Sequence, residues 1–330
     1  MINENQFVKL SPIKLHHLSI KELVTYRKRE RAYLLQSETP QPSHKIREIA
    51  HPLLMGMLYV YHMAKKIKIK VNGAVPETDR PIIFSVSHIG MYDVEVILQS
   101  VKRHVYILSG DEEAMYRTFD GWFFDANGVI YVDPEDSADK QTAMKTAIKY
   151  LKQGRSIMWF PEGTWNLSPN YVILPIHYGI IEAAIRANAL IVPIGLEQYD
   201  KTHGIDFVVN IGAIFNPALS VNGELTKEKK IELAETLRSN MARLKLDAWE
   251  PMQRAKISSN YWDLFVANRF SEWPYYTMDI IQKREFNPSG FISDMEAFSH
   301  LCNIVINSNN AFLARIKYKY LQELIERKKE

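Results

Sequence analysis

The chain has 330 residues, 46% of them apolar and 24% charged, which suits one large or two ordinary soluble domains with a sizeable core. Its one cysteine, Cys302, excludes an internal disulfide and fits a reducing compartment. The net charge of +3 is unevenly spread: thirteen Lys/Arg against five Glu give residues 1–70 a charge of +8, leaving −5 for residues 71–330. A basic end on a mildly acidic body points to an anionic partner surface. Zinc-ligand spacings, basic-aromatic interleaving in the body and RNA-binding signatures are all missing from the sequence, so the expected surface is a membrane face and not nucleic acid. The opening Met1-Ile2-Asn3-Glu4-Asn5 lacks the layout of a secretory signal, and the expectation is a cytoplasmic protein, peripheral on the inner face of the membrane.

In chain order, Ser19 and Glu22 have capping-box spacing and open a helix to about residue 35 that carries Arg27, Lys28, Arg29 and Arg31. After Thr39-Pro40-Gln41-Pro42-Ser43 a second helix runs over about 45–66. Its sixteen uncharged residues, 49–64, fall short of the ~20 apolar residues of a bilayer span. Lys45, Arg47, Lys65, Lys66 and Lys68 flank it, as in a helix lying in an interface. Residues 66–71 alternate strictly and read as a half-buried strand. Strands then follow at 81–87, 104–109, 128–133, 156–160, 190–195 and 205–211, with helices at 91–102, 138–153, 177–188 and 226–247. That alternation predicts an α/β domain whose mostly parallel or mixed sheet is covered by helices on both faces. The domains expected are 1–66, a basic helical membrane-interacting hairpin; 67–248, the α/β unit; and 249–330, a helical extension containing an aromatic cluster at 261–276.

Chemistry concentrates at the predicted strand ends. An apolar run delivers His88 to the end of the 81–87 strand, and Asp93 follows across the turn into a helix. A carboxylate placed there can hold the imidazole in one tautomer as a general base. Gly128-Val129-Ile130-Tyr131-Val132-Asp133 ends in a carboxylate, and Trp159-Phe160-Pro161-Glu162-Gly163-Thr164 ends in Pro-Glu-Gly-Thr. Because ligands in open α/β sheets gather at strand carboxyl ends, His88, Asp133 and Glu162 are expected to converge on one cleft.

His-x4-Asp, Gly-x-x-aromatic-aliphatic-Asp, Phe-Pro-Glu-Gly-Thr and the Val192-Pro193-Ile194-Gly195 strand, in this order over residues 67–215, resemble the glycerol-phosphate and lysophosphatidate acyltransferase family. The resemblance implies that His88 removes a proton from an acceptor hydroxyl, oriented by Asp93, and that the oxygen attacks an acyl thioester. It also implies that the Glu162-Gly163-Thr164 turn binds the acceptor; Asp133 at its strand end and Trp165 beside the turn are the further substrate-binding residues expected. The donor would be acyl-CoA or acyl-ACP as co-substrate, with no metal and no further cofactor. No Gly-x-Ser-x-Gly elbow is present, consistent with direct transfer.

Departures from the family pattern bear on the acceptor. Pro134 and Trp165 stand where arginines are usual, and Asp111-Glu112-Glu113 stands where a lysine is usual. Arginine is the natural grip for a phosphate, so either Arg117 and Lys201 substitute or the acceptor carries no phosphate. Three acceptors stay open: a lysophospholipid or glycerol-phosphate, a glycolipid or saccharide on which Trp165 would stack, and water, which would make the protein a thioesterase or lipid hydrolase. A non-catalytic lipid-binding protein is the remaining alternative, and the intact His88/Asp93 pair argues against it.

Overall fold

The computed structural model describes residues 7–8, 10–36, 43–110, 112–167, 172–221, 223–249 and 268. The predicted 249–330 extension and its aromatic cluster thus lie almost entirely outside the described residues. Three helices lead the chain, α1 (Pro12–His17), α2 (Ile20–Gln36) and α3 (Ser43–Ala64), followed by β1 (Ile67–Asn72) and β2 (Ile82–Val86). Then come α4 (Asp93–Val101), β3 (Tyr106–Ser109), α5 (Glu112–Met115), α6 (Phe119–Asn127), β4 (Val129–Tyr131), α7 (Ser137–Lys152) and β5 (Ile157–Trp159). The order closes with α8 (Gly179–Ala187), β6 (Leu190–Lys201), β7 (Gly204–Ile211), a 3₁₀ turn (Pro217–Ser220) and α9 (Lys227–Trp249).

The seven strands form one mixed sheet in the order β1-β7-β6-β2-β5-β3-β4, parallel everywhere except the β6–β7 pair. Alternation along β2 splits the core in two. Ile82, Phe84 and Val86 pack with Leu58, Ile97 and Phe123 under α3, α4 and α6, whereas Ile83 packs with Ala147, Ile181 and Leu237 under α7, α8 and α9. The α/β architecture is therefore as expected. Helices α1, α5 and α6 were not anticipated. Strand β6 runs six residues further than its apolar stretch, because Glu197 and Gln198 are buried within it and pair onto β7.

The capping box forms as read: Glu22 N–H donates to Ser19 Oγ at 3.3 Å and Ser19 N–H to Glu22 Oε2 at 2.8 Å. The basic cluster behind it does not face outward as a set. Lys28 pairs with Asp133 and Asp136, Arg31 grips Asp139 through both carboxylate oxygens, and Arg27 pairs with Glu30. Three of the four cations of this cluster are thus paired with the protein's own carboxylates.

The exposed feature is apolar and belongs to α3. Ile46, Ile49, Leu53, Met57, Val60 and Met63 recur at helical spacing on its outer face, Ile49 being 80% exposed and Leu53 71%. Its inner face buries three histidines. His44 bonds the Tyr106 hydroxyl, His51 meets the His104 ring edge-on at 5.4 Å, and His62 Nδ1 lies 2.9 Å from Gln99 Oε1. Burial, with Arg155 and Arg47 nearby, pushes His44 down from 6.5 to about 4, and burial also lowers His51, His62 and His104.

These imidazoles are neutral in the folded state, so between pH 6.5 and about 4 the unfolded chain takes up protons that the folded chain refuses. Stability is then lost as the pH falls through that window. Urea midpoints measured from pH 7 to 4.5 are expected to drop less steeply for His44→Gln than for the unmodified chain, and parallel slopes would contradict this origin.

Candidate active site

Strands β2 and β5 are parallel neighbours with Ser85 opposite Trp159, so three residues further on each side the chain reaches His88 and Glu162 at one sheet edge. The loop 160–166 then holds both backbone groups of His88. Its N–H donates to Glu162 Oε1 at 2.9 Å, and its carbonyl accepts from Asn166 N–H at 2.8 Å. On the opposite side Ser87 is tied to β6, accepting from Leu196 N–H at 2.9 Å and donating to the Leu196 carbonyl at 3.2 Å. The histidine backbone is fixed from both neighbouring strands.

The ring is fixed separately. His88 Nδ1 lies 2.7 Å from Asp93 Oδ2, and the same oxygen accepts the N–H groups of Ile89 and Gly90. Asp93 opens α4 and is fully buried. An ionised carboxylate cannot donate, so the shared proton sits on Nδ1 and leaves Nε2 as the basic nitrogen. Phe160 stacks on the imidazole at 4.2 Å between centroids, and Trp165 meets it edge-on at 6.1 Å. Only 19% of the His88 side chain is exposed.

Of the residues expected around this dyad, the structure brings together Glu162, Gly163, Thr164 and Trp165, but with altered duties. Glu162 is fully buried, and its second oxygen accepts Leu174 N–H at 2.7 Å, so its carboxylate braces two loops and does not reach out to an acceptor. Burial raises its pKa, opposed first by the Lys245 charge. Gly163 has φ +73°, the left-handed region that disfavours other residues, and it lies exposed beside half-buried Thr164. Trp165 is 2% exposed, which leaves no face for a sugar to stack on. Asp133 does not join the cleft. Two strands, β5 and β3, separate β4 from β2, and the Lys28 ammonium against Asp133 holds its carboxyl below the ordinary range. Neither proposed substitute cation turns to His88: Arg117 donates to the carbonyls of His16 and Leu18, and Lys201 pairs with Asp206.

A cavity of ≈ 330 Å³ opens under α2 beside β4, and none of these residues lines it. Among the described residues, no group of three or more His, Cys, Asp or Glu is placed to hold a metal ion.

Residues 66–197 match the family model described as Acyltransferase. That stretch of the chain is similar to the acyltransferase family. The chain is 25% identical over 190 residues to a 1-acyl-sn-glycerol-3-phosphate acyltransferase of Saccharomyces cerevisiae, covering 55% of this chain and 62% of that protein. A protein of the same description from Borreliella burgdorferi is 30% identical over 158 residues, covering 47% of this chain and 59% of that one. Each match spans less than two thirds of the relative's own length. The crystal structure of a 1-acyl-sn-glycerophosphate acyltransferase from Thermotoga maritima is 16% identical, with a TM-score of 0.49, over 72% of this chain and 95% of that one.

One residue beside the dyad escaped the sequence reading. Glu95, two positions past Asp93, is buried, and its Oε2 has no hydrogen-bond partner among the described residues. Burial, with Asp120 and Asp93 nearby, pushes its carboxyl from 4.5 up to about 8. Its position inside a helical apolar run, Val94-Glu95-Val96, was the available signal. Between pH 4.5 and about 8 the folded chain keeps a proton that the unfolded chain releases, so stability falls as the pH rises through this window. Melting temperatures at pH 5 and pH 8.5 should show Glu95→Gln gaining on the unmodified chain at the higher pH. A gap independent of pH would place the cost elsewhere.

Proposed function

We propose that the protein is an O-acyltransferase that moves a fatty acyl group from an acyl thioester, acyl-CoA or acyl-ACP, to the hydroxyl of a lysophosphatidate-like acceptor. The observation that carries this reading is the dyad: a buried carboxylate on Nδ1 with Nε2 left basic at the sheet edge. His88 Nε2 takes the acceptor's hydroxyl proton as the oxygen attacks the thioester carbonyl. The tetrahedral species collapses with cleavage of the carbon–sulfur bond, and the imidazolium returns the proton to the departing thiolate. Asp93 keeps the ring aligned and offsets its charge while the proton is held. Packing by Phe160 and Trp165 leaves little of the ring wet, which supports an organic acceptor over water.

A second reading, an acceptor without phosphate, is favoured by the engagement of Arg117 and Lys201 away from His88. The named relatives favour the phosphate-bearing acceptor. Purified protein given acyl-CoA or acyl-ACP with lysophosphatidate, glycerol 3-phosphate, lysophospholipids or glycolipids, and read by mass spectrometry, separates them. His88→Ala should lower product formation by ~10²–10⁴-fold, the usual weight of a general base. Undiminished turnover would remove His88 from the chemistry, and thioester loss that ignores every acceptor would indicate a hydrolase.

The acceptor and donor tails are apolar, and the outer face of α3 supports a peripheral seat on a lipid surface. Exposed Phe119 and Trp122 of α6 stand nearby: the Phe119 ring lies 6.2 Å from that of Tyr61 on α3 and 5.8 Å from Trp122. No described helix is long and apolar enough to cross a membrane. Exposed Lys45, Lys65, Lys66 and Lys68 suit anionic headgroups. Joint Leu53→Glu and Val60→Glu substitution should weaken sedimentation with anionic vesicles by ~10-fold or more, given ~1.5–3 kcal/mol per fully buried aliphatic side chain. Unchanged sedimentation would rule out α3 as the docking face.

A further inference from the structure

Helix α9 lies beyond the 66–197 family match, yet it reaches the His88 loop through buried charge. Arg238 is fully buried, and its Nε and Nη2 both donate to the Ile173 carbonyl, at 2.9 and 2.7 Å. Nη1 lies 3.2 Å from Glu235 Oε2 one turn earlier. The Ile173 carbonyl and the Leu174 N–H belong to one peptide plane, and that N–H is the group bound by Glu162. Glu162 in turn accepts the N–H of His88. A single chain of hydrogen bonds therefore runs from guanidinium to peptide, to carboxylate, to the backbone of the histidine. Each link polarises the next in a medium without water.

A second buried cation on the same helix acts on this carboxylate through its charge. Lys245, also fully buried, lies 3.7 Å from Glu197 Oε2 on β6, and its charge opposes the burial penalty on Glu162. The helix is seated closely enough to act as a fixed reference. A Cβ on Gly195 would stand 2.3 Å from the backbone of Leu244 and Lys245, so only glycine admits α9 at this distance. Ser85 of β2 and Asn210 of β7 also bond to α9, at Met241 Sδ and the Leu244 carbonyl.

We propose that Arg238 is a positioning residue for the His88 base, setting the place of its backbone through the Ile173–Leu174 peptide and Glu162. The assignment rests on the reading of His88 as the base. The guanidinium touches neither ring nor substrate. It holds the far end of a rigid strut, and a base displaced by a fraction of an ångström loses rate without losing affinity for substrate.

The test uses the full chain with two variants. Arg238→Lys keeps one charged donor for the carbonyl. The joint Arg238→Met, Glu235→Leu variant replaces both charges with apolar groups of similar size, a change that buried ion pairs often tolerate. Turnover by the joint variant should fall ~10–100-fold with KM within ~2-fold, and Arg238→Lys should lie between it and the unmodified chain. Nitrogen-15 spectra should show the His88 Nδ1–H signal sharp in the unmodified chain and broadened in the joint variant.

The spectroscopic arm needs no substrate, so an unmodified chain without transferase activity would overturn the function and leave the strut testable. A folded joint variant with undisturbed turnover and an undisturbed His88 signal overturns the proposal. If the joint variant does not fold, amide exchange in the unmodified chain decides: a common rate for the His88 and Leu174 N–H groups supports the strut, and independent rates overturn it.

Discussion

Everything at this sheet edge hangs on one fully buried carboxylate, that of Glu162. It accepts two backbone N–H groups, from His88 and Leu174, that belong to different loops. Losing the acceptor would strand two buried donors at once. Lys245 on α9 is the largest influence favouring the charged form against desolvation. Asp93 does the complementary job, binding the imidazole and two further N–H groups. One carboxylate locates the histidine and the other orients it.

The sheet order explains why these groups meet and others do not. Parallel pairing of β2 with β5 sets Ser85 level with Trp159, so a His three residues past the first and a Glu three residues past the second become neighbours. Strand β4 lies at the sheet's edge, where Asp133 serves instead as an anchor for α2. The same topology leaves α3, joined to β1 by a two-residue turn, with its histidines inward and its aliphatic row outward.

How far the chain disclosed this depended on the span of each interaction. His88 and Asp93 are five residues apart, so their pairing could be read directly. The Pro-Glu-Gly-Thr stretch was visible as a site, but the duty of Glu162 was not, because its partner is the backbone N–H of Leu174, and a backbone group leaves no trace in residue identity. Arg27, Lys28 and Arg31 stand out in the sequence only as a basic cluster. The partners of Lys28 and Arg31, Asp133, Asp136 and Asp139, lie more than a hundred residues away. Arg238 and Lys245 sit among other charges along 227–249, where nothing in the pattern distinguishes two buried cations from solvated ones. Helix α6 escaped notice because a nine-residue segment with Gly121 and four aromatic residues resembles a loop.

The anchoring of Ile173 by Arg238 also imposes an order of assembly during synthesis. The ribosome makes His88 150 residues before Arg238, an interval of about 8 to 30 s at ~5–20 residues per second. Once residues 157–159 have been added the nascent sheet can pair β2 with β5, yet until Arg238 follows the Ile173–Leu174 peptide has no guanidinium to hold it. The last described helix to be translated is therefore the one that supplies the final link of this hydrogen-bond chain.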